Sequence, residues 1–348
     1  MVFVHHMEQS IEHSGLAYRY TEYPALFLLG KLGVVLFFVL SGFLITFLLL
    51  EEESLGSISI KNFYVRRVLR IWPLYYLIVG LALFVFPNID FFTLNGWSYS
   101  ATGYARTLQI ALYLFLFANL ALKITGPLLH ANHTWSIGTE EQFYLVWPIM
   151  IKYITRYRSA LLVSIVLGYM GLSYFFQQPE CGVIPYNVYI TKFLDLFNID
   201  CMAIGGLFSL MLYHRSKALN VLLHNYVFTG ALMLSVGMLI FNIRIPYFTH
   251  ELYAIPFAVV ILNLSSNQSI SKLFEKQVFI YLGNISYGLY MYQPLVIFLS
   301  FKLLKPHLPE QIDQLVLYSV SALLTISISG LSYKYFETPF LKLKSRFL

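Results

Sequence analysis

Apolar runs dominate this chain, and they recur at lengths that suit helices rather than strands. Such runs lie near 28–50, 68–86, 141–157, 159–176, 197–213, 221–242, 249–264, 279–300 and 314–336. A membrane-spanning helix needs about 20 predominantly apolar residues, and several runs approach that length. A β-barrel would instead alternate apolar and polar positions over segments of roughly ten residues. The pattern predicts an all-α, polytopic membrane bundle with nine spans. A further run, 107–123, is ambiguous from its pattern alone. The first six residues, MVFVHH, read as the end of a helix too short to span anything.

Composition narrows the class. The chain has 348 residues, 58% hydrophobic, 18% aromatic and 11% charged, with a mean hydropathy of +0.67. A soluble domain carries about 25% charged residues. A soluble enzyme, a nucleic-acid binder and a disordered chain are therefore excluded. The net charge of +6 says little about an acidic partner, because basic residues in membrane proteins chiefly set topology.

Those basic residues orient the spans. If each of the nine runs crosses and 107–123 does not, 15 of the 23 lysines and arginines share one side. They are Lys61, Arg66, Arg67, Arg70, Lys152, Arg156, Arg158, Arg215, Lys217, Lys272, Lys276, Lys334, Lys342, Lys344 and Arg346. Arg19, Lys31, Arg106, Lys123, Lys192, Arg244, Lys302 and Lys305 fall opposite. Were 107–123 to cross, the 61–70 cluster would oppose the 152–158 cluster. That run is therefore read as re-entrant or interfacial, and the side holding Arg66 as cytoplasmic. Residues 7–27 then lie outside, so the chain before them should arrive from inside. The first helix is expected to be incomplete, with Met1 not the natural start. The whole of 1–348 is expected to be one membrane domain without an added C-terminal domain.

Four clusters break the apolar pattern. His5 and His6 are either interfacial imidazoles or a general base, since neutral imidazole accepts a proton near neutral pH. The segment GVVLFFVLSGFLIT, with Ser41 and Gly42, reads first as a small-residue notch for close helix packing. Arg66, Arg67 and Arg70 are either a topology anchor or a clamp for phosphate oxygens. Glu140 and Glu141 open an apolar run, where a carboxylate costs on the order of 3 kcal/mol and is usually functional. The competing reading is a capping box with Thr139 as N-cap and Gln142 three residues on. Pro339 reads as the stop of the last helix. Cys181 and Cys201 offer no disulfide framework, and no cluster has metal-ligand spacing: His130 and His133 are an i, i+3 pair without a nearby third ligand.

Together the clusters resemble the acyltransferase 3 family of bacterial integral membrane O-acyltransferases. GVVLFFVLSGFLIT, FYVRRVLRIWPLYY, TWSIGTEEQFYLVWP, LGNISYGLYMYQPLV and YKYFETPF occur in the family's order. The resemblance implies about ten helices and transfer of an acyl group, usually acetyl from acetyl-CoA, to a hydroxyl. The implied acceptor is a carbohydrate or lipid-linked glycan, and the implied location is the inner membrane. It places the family's first-helix histidine on His5, its motif carboxylate on Glu140 and its arginines on Arg66, Arg67 and Arg70. Ser41, Trp135, Tyr144 and Asp200 become candidates for substrate contact. Three departures stand out. The arginine eleven positions before His5 would precede Met1, Asn198-Ile-Asp200 replaces Arg-x-Asp, and Gln293 replaces a histidine.

The resulting expectation is direct transfer. His5 deprotonates the acceptor, Glu140 orients the imidazole, and the arginines hold the CoA phosphates. An acyl-serine on Ser41 ranks lower for want of a local base. The rival class is a transporter or flippase using buried His, Glu and Asp, although the internal repeats usual there are not visible.

Overall fold

A computed structural model describes residues 1–14, 22–93, 103–185, 187–304 and 313–347. Arg19 and Lys305, counted above, lie outside the described residues. The described chain is helical, with no strand among the described residues. Five helical stretches among them are long and apolar enough to cross a membrane: Pro24–Ser54, Ile60–Asn88, Arg158–Phe176, Asn187–Tyr213 and Gln314–Lys344. Contacts divide the chain into two compact units interleaved in sequence. The first takes Met1–Gly30, Lys61–Gly138 and Ile280–Leu348, and the second Lys31–Ile60 and Thr139–Phe279.

In the first unit, helix α1 (Val2–His13) does not end at His6 as the charge pattern suggested. Its apolar face continues one further turn and more, because Met7 and Ile11 are fully buried. Met7 packs with Ile297 and Leu317, flanked by Phe3, Phe301 and Tyr318. The Tyr318 hydroxyl donates to Glu8 at 2.6 Å. Helix α2 (Pro24–Ser54) is shared, its residues up to Gly30 falling in this unit. Helix α3 (Ile60–Gly80) carries the arginines and contains Pro73.

The ambiguous run 107–123 is split. Helix α4 (Gly103–Leu114) has 12 residues and α5 (Ala118–Ile124) has 7. Leu116 between them has a φ of 64°. At 1.5 Å per residue, α4 reaches roughly 18 Å, short of the roughly 30 Å hydrocarbon core. The Tyr75 and Tyr76 hydroxyls donate to the carbonyls of Tyr113 and Leu114 at 2.9 and 2.8 Å and hold this break in place.

Helix α6 (Trp135–Tyr153) is likewise shared, its residues from Thr139 onward falling in the second unit, where it is joined to α7 (Arg158–Phe176). Helix α8 (Asn187–Phe197) leads through Asn198, which is left-handed at φ 35°, into α9 (Ile199–Tyr213). Helices α10 (Asn225–Ile240) and α11 (Thr249–Ser266) follow. The small-residue reading of the Ser41–Gly42 segment holds. A Cβ on Gly42 would sit 1.9 Å from the Met202 carbonyl oxygen, and one on Gly205 would sit 2.0 Å from the Val39 carbonyl oxygen. Backbones that approach this closely leave room only for hydrogen.

Arg158 forms an ion pair with Glu53 at 2.7 Å, and Lys152 donates to the Ile58 carbonyl at 2.7 Å. The 152–158 cluster therefore packs at the C-terminal end of α2.

The chain closes in the first unit with α12 (Gln277–Asn284), whose first residues belong to the second unit. Helix α13 (Ser286–Leu304), α14 (Asp313–Ser332) and α15 (Thr338–Lys344) complete it. A π-helical turn, Tyr333–Glu337, joins the last two. Pro339 is not a stop. It lies inside a continuous helical stretch, just after the π-helical turn, the kind of local irregularity that accompanies a proline within a helix.

Candidate active site

His5 sits on α1 with its Nδ1 3.3 Å from the Leu26 carbonyl oxygen. A carbonyl only accepts, so this bond places the ring proton on Nδ1 and the basic lone pair on Nε2. The orienting group found is thus a backbone carbonyl of the same unit. Gly30, one helical turn beyond Leu26, makes room for the ring: a Cβ there would lie 2.3 Å from His5 Cγ. Neither contact is legible from local sequence, because both depend on how α2 lies against α1.

His6 belongs to the same cluster. Its ring centroid lies 5.4 Å from that of His5 and 6.4 Å from that of His133. His133 lies on a short 3-10 turn, Asn132–Thr134, just before α6. Burial holds its pKa down to about 3, so it stays neutral, while the Met291 carbonyl pulls it back up. His130, its i, i+3 neighbour, is held elsewhere. Its Nε2 pairs with the Phe92 carbonyl at 2.9 Å, and its ring packs on Phe298 at 4.5 Å.

The arginines also lie in the first unit, on one stretch of α3. Arg66 Nη1 donates to the Phe347 carbonyl at 2.7 Å. The Arg67 guanidinium lies 5.6 Å from the Phe63 ring centre. Lys344 is close enough to all three arginines to feel their charge, and Glu337 faces Arg70. Arg66, Arg67, Arg70 and Lys344 thus share one region, with Glu337 beside Arg70, and such a group of cations suits a polyanion.

Glu140 lies in the second unit, 4% exposed. The capping-box reading is overturned: α6 starts at Trp135, so Thr139 is interior, and its hydroxyl donates to the Leu196 carbonyl at 3.1 Å. Glu140 is therefore beyond the first turn, where the helix dipole helps little. Two hydroxyls compensate. Ser41 Oγ donates to Glu140 Oε1 at 2.6 Å, and the Tyr144 hydroxyl donates to the same oxygen. Ser41 thus has the carboxylate partner that its local sequence lacked. Below it, Trp147 Nε1 donates to Thr46 Oγ1 at 2.9 Å. Trp135 is half-buried at the start of α6.

Asp200 is fully buried in the first turn of α9. It lies close enough to Glu251 of α11 for the two carboxyls to act on each other electrostatically. One rung away, His250 Nδ1 and Asn198 Oδ1 are 2.7 Å apart. Glu251 and His250 escaped sequence reasoning because neither falls in a recognisable pattern. Cys181 and Cys201 are both buried and free.

An all-helical, multi-pass membrane protein that carries a buried imidazole cluster and a surplus of arginines is a narrow class. The acyltransferase 3 family, described as an acyltransferase domain, matches residues 1–334, and the chain belongs to this family of acyltransferases. It is 28% identical over 341 residues to the peptidoglycan O-acetyltransferase OatA of Listeria monocytogenes, covering 90% of this chain and 51% of that protein. It is 29% identical over 350 residues to a putative O-acetyltransferase of Staphylococcus aureus strain COL, covering 90% of this chain and 53% of that protein. The chain thus spans about half the length of these curated relatives. No solved structure matches it.

Proposed function

We propose that this chain transfers an acetyl group from acetyl-CoA to a hydroxyl of a glycan acceptor, at the bacterial inner membrane. The reading rests on one observation above the others: the Leu26 carbonyl fixes His5 with its proton on Nδ1, which leaves Nε2 to act as base. The names of the relatives support acetyl transfer and a glycan acceptor. The cation surplus around Arg66, Arg67, Arg70 and Lys344 suits the phosphates of CoA.

The reaction runs as follows. The acceptor O–H proton passes to His5 Nε2. The oxygen bonds to the thioester carbonyl carbon, and the C–S bond breaks. The departing CoA thiolate takes the proton from the imidazolium. A well-placed base accounts for about 10²–10⁴-fold in rate. Glu140, held by Ser41 and Tyr144, is the candidate catalytic carboxylate of the second unit, since a buried carboxylate is usually functional.

The test is CoA release by the purified chain in liposomes, with and without a glycan oligosaccharide. Acceptor-dependent release of free thiol, matched by acetyl on the glycan, is the expected result. Movement of glycan across the bilayer without use of acetyl-CoA would instead establish a transporter.

A further inference from the structure

His133 is a buried polar side chain of the first unit that the mechanism above leaves unused. It is 5% exposed, yet neither ring nitrogen makes a hydrogen bond of normal geometry, and His6 Nδ1 is likewise buried without a partner. Each such group costs about 1–3 kcal/mol, so three in one place need a reason. What faces His133 is neutral: the Met291 carbonyl lies close enough to influence the ring but makes no hydrogen bond of normal geometry with it. The Tyr290 ring packs 5.2 Å away, and the Tyr290 hydroxyl donates to the His133 carbonyl at 2.7 Å and pairs with Ser136 Oγ at 2.6 Å.

Tyr290 also links this cluster to open space. It lines an apolar pocket of about 320 Å³ together with Phe3, Leu289, Gln293 and Thr325. Phe3 is one helical turn from His6 on the same face of α1, and Gln293 is one turn from Tyr290 on α13. The chemistry of this place is specific. Phosphate would need cations, and those gather around Arg66, Arg67 and Arg70. A sugar ring would need many polar partners. Neutral N–H donors beside an apolar pocket suit a carbonyl oxygen with an apolar substituent.

We propose that this is the acyl subsite, in which a ring N–H of His133 donates to the thioester carbonyl oxygen while the acyl chain points into the Tyr290 pocket. The proposal rests on the acyl-transfer reading above. As the acceptor oxygen bonds to the carbonyl carbon, the C=O electron pair moves onto oxygen, and the His133 N–H meets the growing negative charge. When the C–S bond breaks, the pair returns and His133 keeps its proton throughout. A neutral imidazole suits this task, because it donates without giving its proton away. His6, between His133 and His5, keeps the two roles within one cluster.

Two measurements test it. The first is steady-state transfer from acetyl-CoA by His133→Ala and His133→Asn. Removing one such donor costs about 10²–10³ in kcat. His133→Ala should lose that much with KM for acetyl-CoA changed only a few-fold, and His133→Asn, which keeps an N–H, should recover part of it. The low-pH limb of the rate profile should not move, since His5 sets it. Unchanged kcat in His133→Ala, or no recovery in His133→Asn, would overturn the proposal.

The second is thermal unfolding of His133→Leu in liposomes without substrate. An imidazole kept for a ligand predicts a variant as stable as the wild type or more so, whereas a structural imidazole predicts a clear loss. The two readings fail separately. Absence of CoA release by the wild type sinks the proposed function, and a marked loss of stability in His133→Leu sinks the acyl subsite whatever the activity.

Discussion

Ser41 Oγ donates to Glu140 Oε1 at 2.6 Å, joining residues 99 positions apart within the second unit. A serine against a buried carboxylate invites two readings: a nucleophile with its base, or a hydroxyl that holds the carboxylate still. Direct transfer requires the second. Ser41→Ala should then lower turnover about tenfold, the worth of one hydrogen bond to a charged group, without abolishing it. Incubation with radiolabelled acetyl-CoA and no acceptor should leave the protein unlabelled. Label on Ser41 would establish an acyl-enzyme instead.

Gly30 sets the position of the His5 ring. An added methyl would meet Cγ at 2.3 Å and Nδ1 at 2.4 Å, so the imidazole must shift. A displacement of about 1 Å can cost 10²-fold in rate. Gly30→Ala should therefore lower kcat by that order while the protein still inserts and binds acetyl-CoA. Measured kcat and KM check this, and a wild-type kcat would mean that the ring position is not decisive.

Gly42 and Gly205 carry the packing of the second unit. Their Cβ positions fall 1.9 and 2.0 Å from backbone oxygens, whereas a Cβ on Gly168 of α7 meets nothing. Backbone cannot yield as a side chain tip does. Gly42→Ala and Gly205→Ala should each cost at least the roughly 1–3 kcal/mol typical of overpacking, read as a lower unfolding temperature in liposomes. Gly168→Ala should be neutral or slightly stabilising, since alanine favours helix over glycine by about 1 kcal/mol.

The arginine cluster separates an anchor from a clamp. Single alanine variants of Arg66, Arg67 and Arg70 should raise KM for acetyl-CoA about ten- to a hundredfold, the loss of about 1.5–3 kcal/mol. KM for the acceptor should move far less. Arg66 also donates to the Phe347 carbonyl, so its variant alone should loosen the C-terminal segment, seen as faster proteolysis there.

What the sequence made legible was local or periodic. Helix-length apolar runs gave the class and most of the helices, and Gly42 beside Ser41 gave the close packing. The basic clusters gave an expected side for the loops. The misreadings came from rules that look only at neighbours. Thr139 with Gln142 has the pattern of a capping box, but the helix was already running from Trp135. Pro339 has the look of a stop, but it follows a π-helical turn and the helix runs on through it. What stayed hidden was long-range. Ser41 meets Glu140, His6 meets His133 and Asp200 meets Glu251 only because helices far apart in sequence pack together.

The most direct test of the central claim is acetyl transfer by His5→Ala, with the purified chain in liposomes, acetyl-CoA and a glycan acceptor. If His5 Nε2 takes the acceptor proton, kcat should fall by about 10²–10⁴-fold, with KM for acetyl-CoA little changed and insertion intact. Turnover by His5→Ala equal to that of the wild type would contradict the account.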